Sequence, residues 1–105
     1  MPETVRLCAV HELKSGSARR FDHGRHRIAL VRIGDDFYAI GDRCSHADYS
    51  LAEGEVYERD KSIECWKHGS NFSLVTGEPQ TLPATKPVPV YEVQVVGDDV
   101  NVVIP

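Results

Sequence analysis

Two short segments of the sequence combine cysteine and histidine in a pattern that could bind metal. In the first segment, one residue separates Cys44 from His46, and in the second, two residues separate Cys65 from His68. Thiolate and imidazole groups are common metal ligands, and a matched pair of such segments seldom arises by chance in a chain of 105 residues. These four side chains are therefore the candidate ligands.

The spacing within the segments favours a binuclear cluster over a single ion. In an extended Cys-x-His segment the two side chains point the same way, with their Cα atoms about 6–7 Å apart, which is awkward around one ion. It suits a cluster in which each segment gives its cysteine to one iron and its histidine to the other. Structural zinc sites typically pair cysteines two to four residues apart and histidines three to five apart, and neither pairing occurs here. A zinc site and a coincidental pair of thiols remain the alternatives.

The two segments, with Gly69 after the second, resemble the Cys-x-His…Cys-x-x-His motif of Rieske proteins, and the likeness runs through most of the chain. The resemblance implies a [2Fe–2S] cluster, with Cys44 and Cys65 on the inner iron and His46 and His68 on the outer iron. It also implies a three-sheet β fold that carries the cluster at the tip of two loops, with the proline-rich segment 82–89 covering a third side.

Departures from the respiratory Rieske proteins predict a lower reduction potential. Those proteins clamp the two loops with a disulfide, whereas the matching positions here are Tyr49 and Lys67. Ser70 matches a serine that donates to the cluster sulfurs, but Phe72 replaces a tyrosine donor. Because hydrogen bonds to sulfur raise the potential, we expect a midpoint below that of the respiratory class. A titration with a midpoint near the top of the Rieske range, about +300 mV, would contradict this expectation.

The rest of the sequence predicts an all-β chain, with a single Rieske domain over residues 1–105, antiparallel sheets or a small sandwich, and a cluster-binding subdomain. Its cluster-binding loops are expected at about 42–50 and 63–72. Turn signals at Gly34 and Gly97 predict two hairpins, and only segments 50–57 and 12–15 could be helical. The predicted strands are Thr4–Val10, Arg27–Ile33, Phe37–Ile40, Ser62–Trp66, Asn71–Val75, Tyr91–Val95 and Val100–Ile104.

Charge and composition exclude several classes of partner. The chain has 12 Lys and Arg against 16 Asp and Glu, a net charge of −4, with +4 in residues 1–32 and −8 in the remainder. An acidic body disfavours nucleic acid as a partner. No apolar stretch approaches the roughly 20 residues of a membrane span and no signal peptide is evident, so we expect a cytoplasmic protein. A monomer is the default expectation for a small carrier with an exposed cluster. Three cysteines argue against a disulfide framework, which leaves Cys8 as a buried free thiol.

Seven acidic residues between Asp42 and Glu64 outnumber the three basic residues there. Such a surplus could steer a basic partner toward the cluster, or it could simply form a solvated loop. The residue counts do not separate these two interpretations.

The family resemblance implies an electron carrier rather than an enzyme. The chain is similar to the ferredoxin component of bacterial aromatic-ring dioxygenase systems, which takes electrons from a flavoprotein reductase and passes them to a terminal oxygenase. It is also similar to short Rieske proteins encoded beside iron–sulfur assembly genes in actinobacteria, where the partners would be assembly proteins. A redox-sensing or structural metal module is the alternative from another class. The small subunit of a nitrite reductase is a further alternative, although those subunits usually lack the ligands.

Overall fold

The computed structural model describes residues 3–43, 49–66, 69–80 and 86–104. Over these residues the chain forms nine strands and two single-turn 3₁₀ helices, at Val10–Glu12 and Leu51–Glu53. The strands are β1 (Glu3–Ala9), β2 (Ser17–His23), β3 (His26–Ile33), β4 (Asp36–Gly41), β5 (Glu55–Tyr57), β6 (Ser62–Glu64), β7 (Asn71–Ser73), β8 (Val90–Val96) and β9 (Asp99–Ile104).

Six strands form a large antiparallel sheet in the order β1-β9-β8-β4-β3-β2. Its two halves are joined by a short pairing of β4 with β8, in which Ile40 lies opposite Val90. The two edge strands, β1 and β2, also approach each other. Glu3 Oε1 of β1 lies 2.8 Å from His23 Nε2 of β2. The large sheet is therefore curled, with its first and last strands facing each other.

Strand β3 has buried apolar side chains on both faces. Ile28 and Leu30 pack in one core with residues of β1, β8 and β9, whereas Ala29 and Val31 pack in a second core with residues of β6 and β7. Successive side chains of a strand point to opposite faces, so the apolar run in β3 separates the two cores. The first core fills the curled sheet, and the second joins that sheet to the smaller one.

The smaller antiparallel sheet has the order β5-β6-β7. Its Ile63 and Phe72 lie opposite each other and are fully buried in the second core, together with Leu51 and Leu74. This sheet ends at the segment that contains Cys65, so its packing determines where that cysteine lies.

The prediction of an all-β chain is confirmed, including both hairpins. Gly34 and Gly97 have φ values of 61° in the β3–β4 and β8–β9 turns, a left-handed conformation that glycine adopts without steric cost. Among the described residues, no helix has both the length and the apolar character that crossing a membrane requires.

The two segments that could be helical each contribute at most one helical turn. Segment 50–57 is not a helix, because the chain turns once through Leu51–Glu53 and then pairs as β5 with β6. The helical candidate near residues 12–15 is replaced by the single turn Val10–Glu12. Strand β2 was not among the predicted strands, since it contains few apolar residues, and its full-length pairing with β3 defines it instead.

Candidate metal centre

Cys65 is the predicted ligand that lies within the described residues, whereas Cys44, His46 and His68 lie outside them. Cys65 directly follows β6 and is completely buried in the second core. A cysteine in this position presents its thiol from the base of a loop rather than from a mobile surface segment.

The described ends of the second ligand loop, Cys65–Trp66 and Gly69–Ser70, continue the pairing of β6 with β7. The Cys65 N–H donates to the Ser70 carbonyl at 2.7 Å, and the Gly69 N–H donates to the Cys65 carbonyl at 2.9 Å. Gly69 has a φ of +75°, a conformation that disfavours residues with a Cβ atom. This backbone conformation is a sufficient reason for glycine at position 69.

The first ligand loop, residues 43–50, is closed at its base by Asp42. Arg43 and Ser50 form an antiparallel bridge, and the Asp42 carbonyl accepts from the Leu51 N–H at 2.6 Å. The Asp42 carboxylate accepts from the Ser50 hydroxyl at 2.6 Å and from the Ala52 N–H at 2.9 Å. Burial of a carboxylate is costly unless it is hydrogen-bonded, so these contacts hold both ends of the loop together.

The burial of Asp42 corrects one inference from the sequence. Asp42 is only 1% exposed, so it does not belong to the acidic surface that could steer a partner. Its Oδ2 atom also lies 3.7 Å from Arg20 Nε, which adds a basic group beside the buried carboxylate.

An aromatic contact joins the two ligand loops. The rings of Tyr49, at the end of the first loop, and Trp66, directly after Cys65, meet edge to face, with centroids 5.1 Å apart and planes at 83°. Tyr49 stands at one position of the respiratory disulfide clamp, and Trp66 directly precedes the other, Lys67, so a non-covalent contact joins the loops close to the positions of that clamp. Trp66 remains 51% exposed, which places this contact at the surface.

Where it is described, the proline-rich segment is hydrogen-bonded to β4 and to the loop that follows β7. The Val88 N–H donates to the Gly77 carbonyl, and the Gly41 N–H donates to the Pro89 carbonyl, each at 2.8 Å. A Cβ atom on Gly77 would lie 2.2 Å from the Val88 carbonyl oxygen, so this approach requires glycine. Residues 81–85, the tip of the segment that was expected to cover the cluster, lie outside the described residues.

These features fit an iron–sulfur cluster. The donor set is two thiols and two imidazoles, and the described bases of both loops are fixed by hydrogen bonds and joined by a ring contact. Elsewhere in the described part of the chain, no group of three or more His, Cys, Asp or Glu side chains could hold a metal ion. Cys8 lies buried in the other core, where burial raises the pKa of its thiol, in agreement with the predicted free cysteine.

Comparisons with known proteins agree with the geometry. A family model described as the Rieske [2Fe-2S] domain matches residues 3–92. The 3-phenylpropionate/cinnamic acid dioxygenase ferredoxin subunit of Shigella boydii serotype 4 is 43% identical over 101 residues, which cover 96% of this chain and 93% of that protein.

Two solved structures extend the likeness to three dimensions. The ferredoxin of carbazole 1,9a-dioxygenase from Nocardioides aromaticivorans IC177 is 37% identical with a TM-score of 0.92, and the match covers 94% of this chain and 95% of that one. A ferredoxin chain in a complex of reduced oxygenase and oxidized ferredoxin in carbazole 1,9a-dioxygenase is 38% identical with a TM-score of 0.88, over 94% and 91% of the two chains.

The fold and the paired loops define an iron–sulfur electron-transfer protein. The chain belongs to the Rieske [2Fe-2S] domain family. Its cofactor is accordingly a Rieske-type [2Fe–2S] cluster, and its role is that of an electron-transfer component rather than a catalytic enzyme.

Proposed function

We propose that Cys44, His46, Cys65 and His68 hold the cluster and that the protein passes single electrons from a flavoprotein reductase to the terminal oxygenase of an aromatic-ring dioxygenase system. The observation that carries this proposal is the contact between Tyr49 and Trp66. Because Tyr49 and Trp66 flank the proposed ligands, their contact supports a cluster shared between the two segments.

The chain's own residues supply a fixed frame for the cofactor. When bound, a [2Fe–2S] cluster supplies a centre that accepts and releases one electron at a time. Cys65 offers a thiolate from the buried base of one loop, while Asp42 fixes the base of the other. His46 and His68 replace two thiolates with neutral imidazoles, which lowers the negative charge at the centre and raises its potential above that of all-cysteine clusters.

The dioxygenase setting is supported by the relatives. The curated relative is named as a dioxygenase ferredoxin subunit, and one similar ferredoxin was solved together with its oxygenase. Iron–sulfur assembly proteins are the alternative partners. A pull-down that recovers assembly scaffold proteins and no oxygenase would favour that setting.

The first test of the proposal is an EPR spectrum of the dithionite-reduced protein, with iron and zinc quantified alongside. We expect a rhombic signal with an average g value below that of all-cysteine ferredoxins and about two irons per chain, because two histidines ligate one iron. A silent spectrum with stoichiometric zinc would contradict the carrier function.

A pair of cysteine variants tests the ligand assignment. Cys65→Ala should lose nearly all of the bound iron, because it removes a thiolate ligand. Cys8→Ala removes an equally buried thiol from the other core and should retain the iron and its spectrum. Equal iron loss in both variants would mean that the effect is on folding rather than on ligation.

Glu64 places a negative charge beside the second ligand loop. Its Oε2 atom accepts from the Tyr57 hydroxyl at 2.7 Å, and its Oε1 atom lies 3.4 Å from the position that a Cβ atom would take on Gly69. The hydrogen bond to Glu64 is the main cause that raises the pKa of Tyr57 to about 12. The hydroxyl therefore keeps its proton at neutral pH and holds the carboxylate in place.

Glu64→Gln is expected to raise the midpoint potential by roughly 40 mV, or about 1 kcal/mol, because it removes a negative charge that opposes reduction. Tyr57→Phe keeps the charge but releases the carboxylate, so its shift should be smaller. Asp98→Asn makes the same change of charge in the β8–β9 turn, at the far end of the large sheet, and serves as the matched control. Equal shifts of the midpoint potential for Glu64→Gln and Asp98→Asn in a redox titration would show that the position of Glu64 beside the loop does not determine the potential.

A further inference from the structure

Strand β2 places a charged side chain against the base of the first ligand loop. Arg20 is the central residue of β2, and its Nε atom lies 3.7 Å from Oδ2 of Asp42, the residue that closes the loop. Arg20 also lines a shallow depression of about 450 Å³ together with Tyr49 and Ser50, at the end of the same loop. The guanidinium group therefore lies beside a loop that is distant from it in the sequence.

The two consecutive arginines of β2 lie on opposite faces of the sheet. Arg19 Nη1 lies 3.9 Å from Glu12 Oε2, and the Arg19 guanidinium carbon lies 5.1 Å from the centre of the Phe21 ring. Because successive side chains of a strand alternate between faces, Arg20 points the other way, toward Asp42. The strand therefore offers two arginines in adjacent positions, of which only Arg20 contacts the residue that closes the loop.

The Arg20 guanidinium group is shared between an exposed and a buried carboxylate. Its Nε and Nη2 atoms donate to the two carboxylate oxygens of Asp22, at 3.0 and 3.2 Å. The hydrogen bond to Asp22 is the main cause that raises the pKa of Arg20, and the negative charges of Asp42 and Glu53 raise it further. The Asp22 side chain is 55% exposed, whereas that of Asp42 is 1% exposed. Water and salt screen a pair with a buried member less than an exposed pair, so Arg20 acts on Asp42 despite the longer distance.

The inward position of Asp42 is what keeps the loop closed. Its two carboxylate oxygens accept from the Ser50 hydroxyl and the Ala52 N–H, and these bonds form only while the carboxylate stays in the interior. A buried carboxylate without a compensating charge is more stable when it turns toward water, which would break both bonds. The positive charge of Arg20 therefore favours the arrangement in which Asp42 joins the two ends of the loop.

We propose that Arg20 is a positioning residue for the cluster, because through Asp42 it holds the first ligand loop closed. The inference rests on the proposed function, in which this loop carries the ligands Cys44 and His46. Arg20 lies outside both ligand loops and forms no part of the ligand motif. Strand β2 thus belongs to the structure that retains the cofactor, as well as to the large sheet.

The test combines hydrogen–deuterium exchange of segment 50–54, measured by mass spectrometry on the purified holoprotein, with the rate of iron release to a chelator. Arg20→Gln should raise both rates about fivefold, the upper end for losing an ion pair of a partly exposed arginine. Arg20→Lys keeps the charge and should restore most of the wild-type behaviour. Arg19→Gln makes the same change of charge on the opposite face of β2 and should match the wild type. Exchange in the buried segment 28–31 of β3 is the internal reference for overall stability.

A double-variant cycle tests whether Arg20 acts through Asp42. In the Asp42→Asn protein the carboxylate charge is absent, so adding Arg20→Gln should change neither rate further. An equal effect of Arg20→Gln in both backgrounds would overturn the proposal. So would an equal effect of Asp22→Asn, which removes only the exposed ion pair of Arg20.

Three further results would also overturn the proposal. These are wild-type rates in Arg20→Gln, an equal increase of exchange in segments 50–54 and 28–31, and faster exchange in segment 50–54 without faster iron release. An EPR spectrum of each protein is recorded in parallel. Exchange does not need the cluster, so a wild-type protein without a cluster signal would count against the proposed function, whereas unchanged exchange in Arg20→Gln with the signal intact would count against the role of Arg20.

Discussion

Gly54→Ala is expected to destabilise the protein by about 3 kcal/mol or more and to prevent normal cluster binding. A Cβ atom on Gly54 would lie 1.7 Å from the Glu64 carbonyl oxygen and 2.9 Å from its carbon. Both are backbone atoms, so no side-chain rotation can relieve the overlap. Since Glu64 immediately precedes Cys65, the strand that moves to make room carries a proposed ligand with it.

Urea unfolding and the iron content per chain measure this effect, with Gly97→Ala as the control. Gly97 has a φ of 61° and open space around its Cβ position, so alanine there costs only the backbone strain of about 1–2 kcal/mol. Gly54, in contrast, has an ordinary φ of −84°. If the two variants lose equal stability, or if Gly54→Ala keeps full iron content, the proposed overlap is not what requires glycine.

Asp42→Ala is expected to cost about 3 kcal/mol of unfolding free energy, because it leaves the Ser50 hydroxyl and the Ala52 N–H without their acceptor. The loop that these groups close carries two of the four proposed ligands. The same variant should therefore release iron to a chelator several-fold faster. Asp42→Asn keeps one acceptor oxygen and should fall between the wild type and the alanine variant.

Asp22→Ala is the matched control for charge. Asp22 is also bonded to Arg20, at 3.0 Å, but it is exposed, so its removal should cost no more than about 1 kcal/mol. Equal losses for Asp42→Ala and Asp22→Ala would show that the buried carboxylate does not close the loop. An unchanged rate of iron release in Asp42→Ala would lead to the same conclusion.

Local signals in the sequence were sufficient for much of the fold. Glycine and aspartate at the β3–β4 and β8–β9 turns, flanked by apolar runs, predicted both hairpins. Strand β2 could not be found in this way, because its arginines face solvent and its structure depends on hydrogen bonds with β3. The β5 segment was mistaken for helix for the same reason, since its three residues become a strand only beside β6.

The ligand motif of the candidate site could be predicted from the sequence, but the residues that hold its loops in place could not. Cys65 and Gly69 stand in a recognisable pattern, and the hydrogen bond between their backbones agrees with it. Asp42 gave no such signal, because it is one of seven acids in its region and only packing shows that it is buried. The need for glycine at position 54 could not be predicted either, because it arises from the close approach of the Glu64 backbone, ten residues away in the sequence.

The ring contact between Tyr49 and Trp66 has a consequence for the environments in which the loops stay together. A disulfide between the two loops would be subject to thiol exchange, and its persistence would depend on the glutathione and thioredoxin around it. Two aromatic rings have no such equilibrium, and their edge-to-face contact contributes roughly 1 kcal/mol whatever the thiol poise. The strength of the contact between the loops therefore does not depend on the reductant. It depends instead on temperature and on the size of the two side chains that form it.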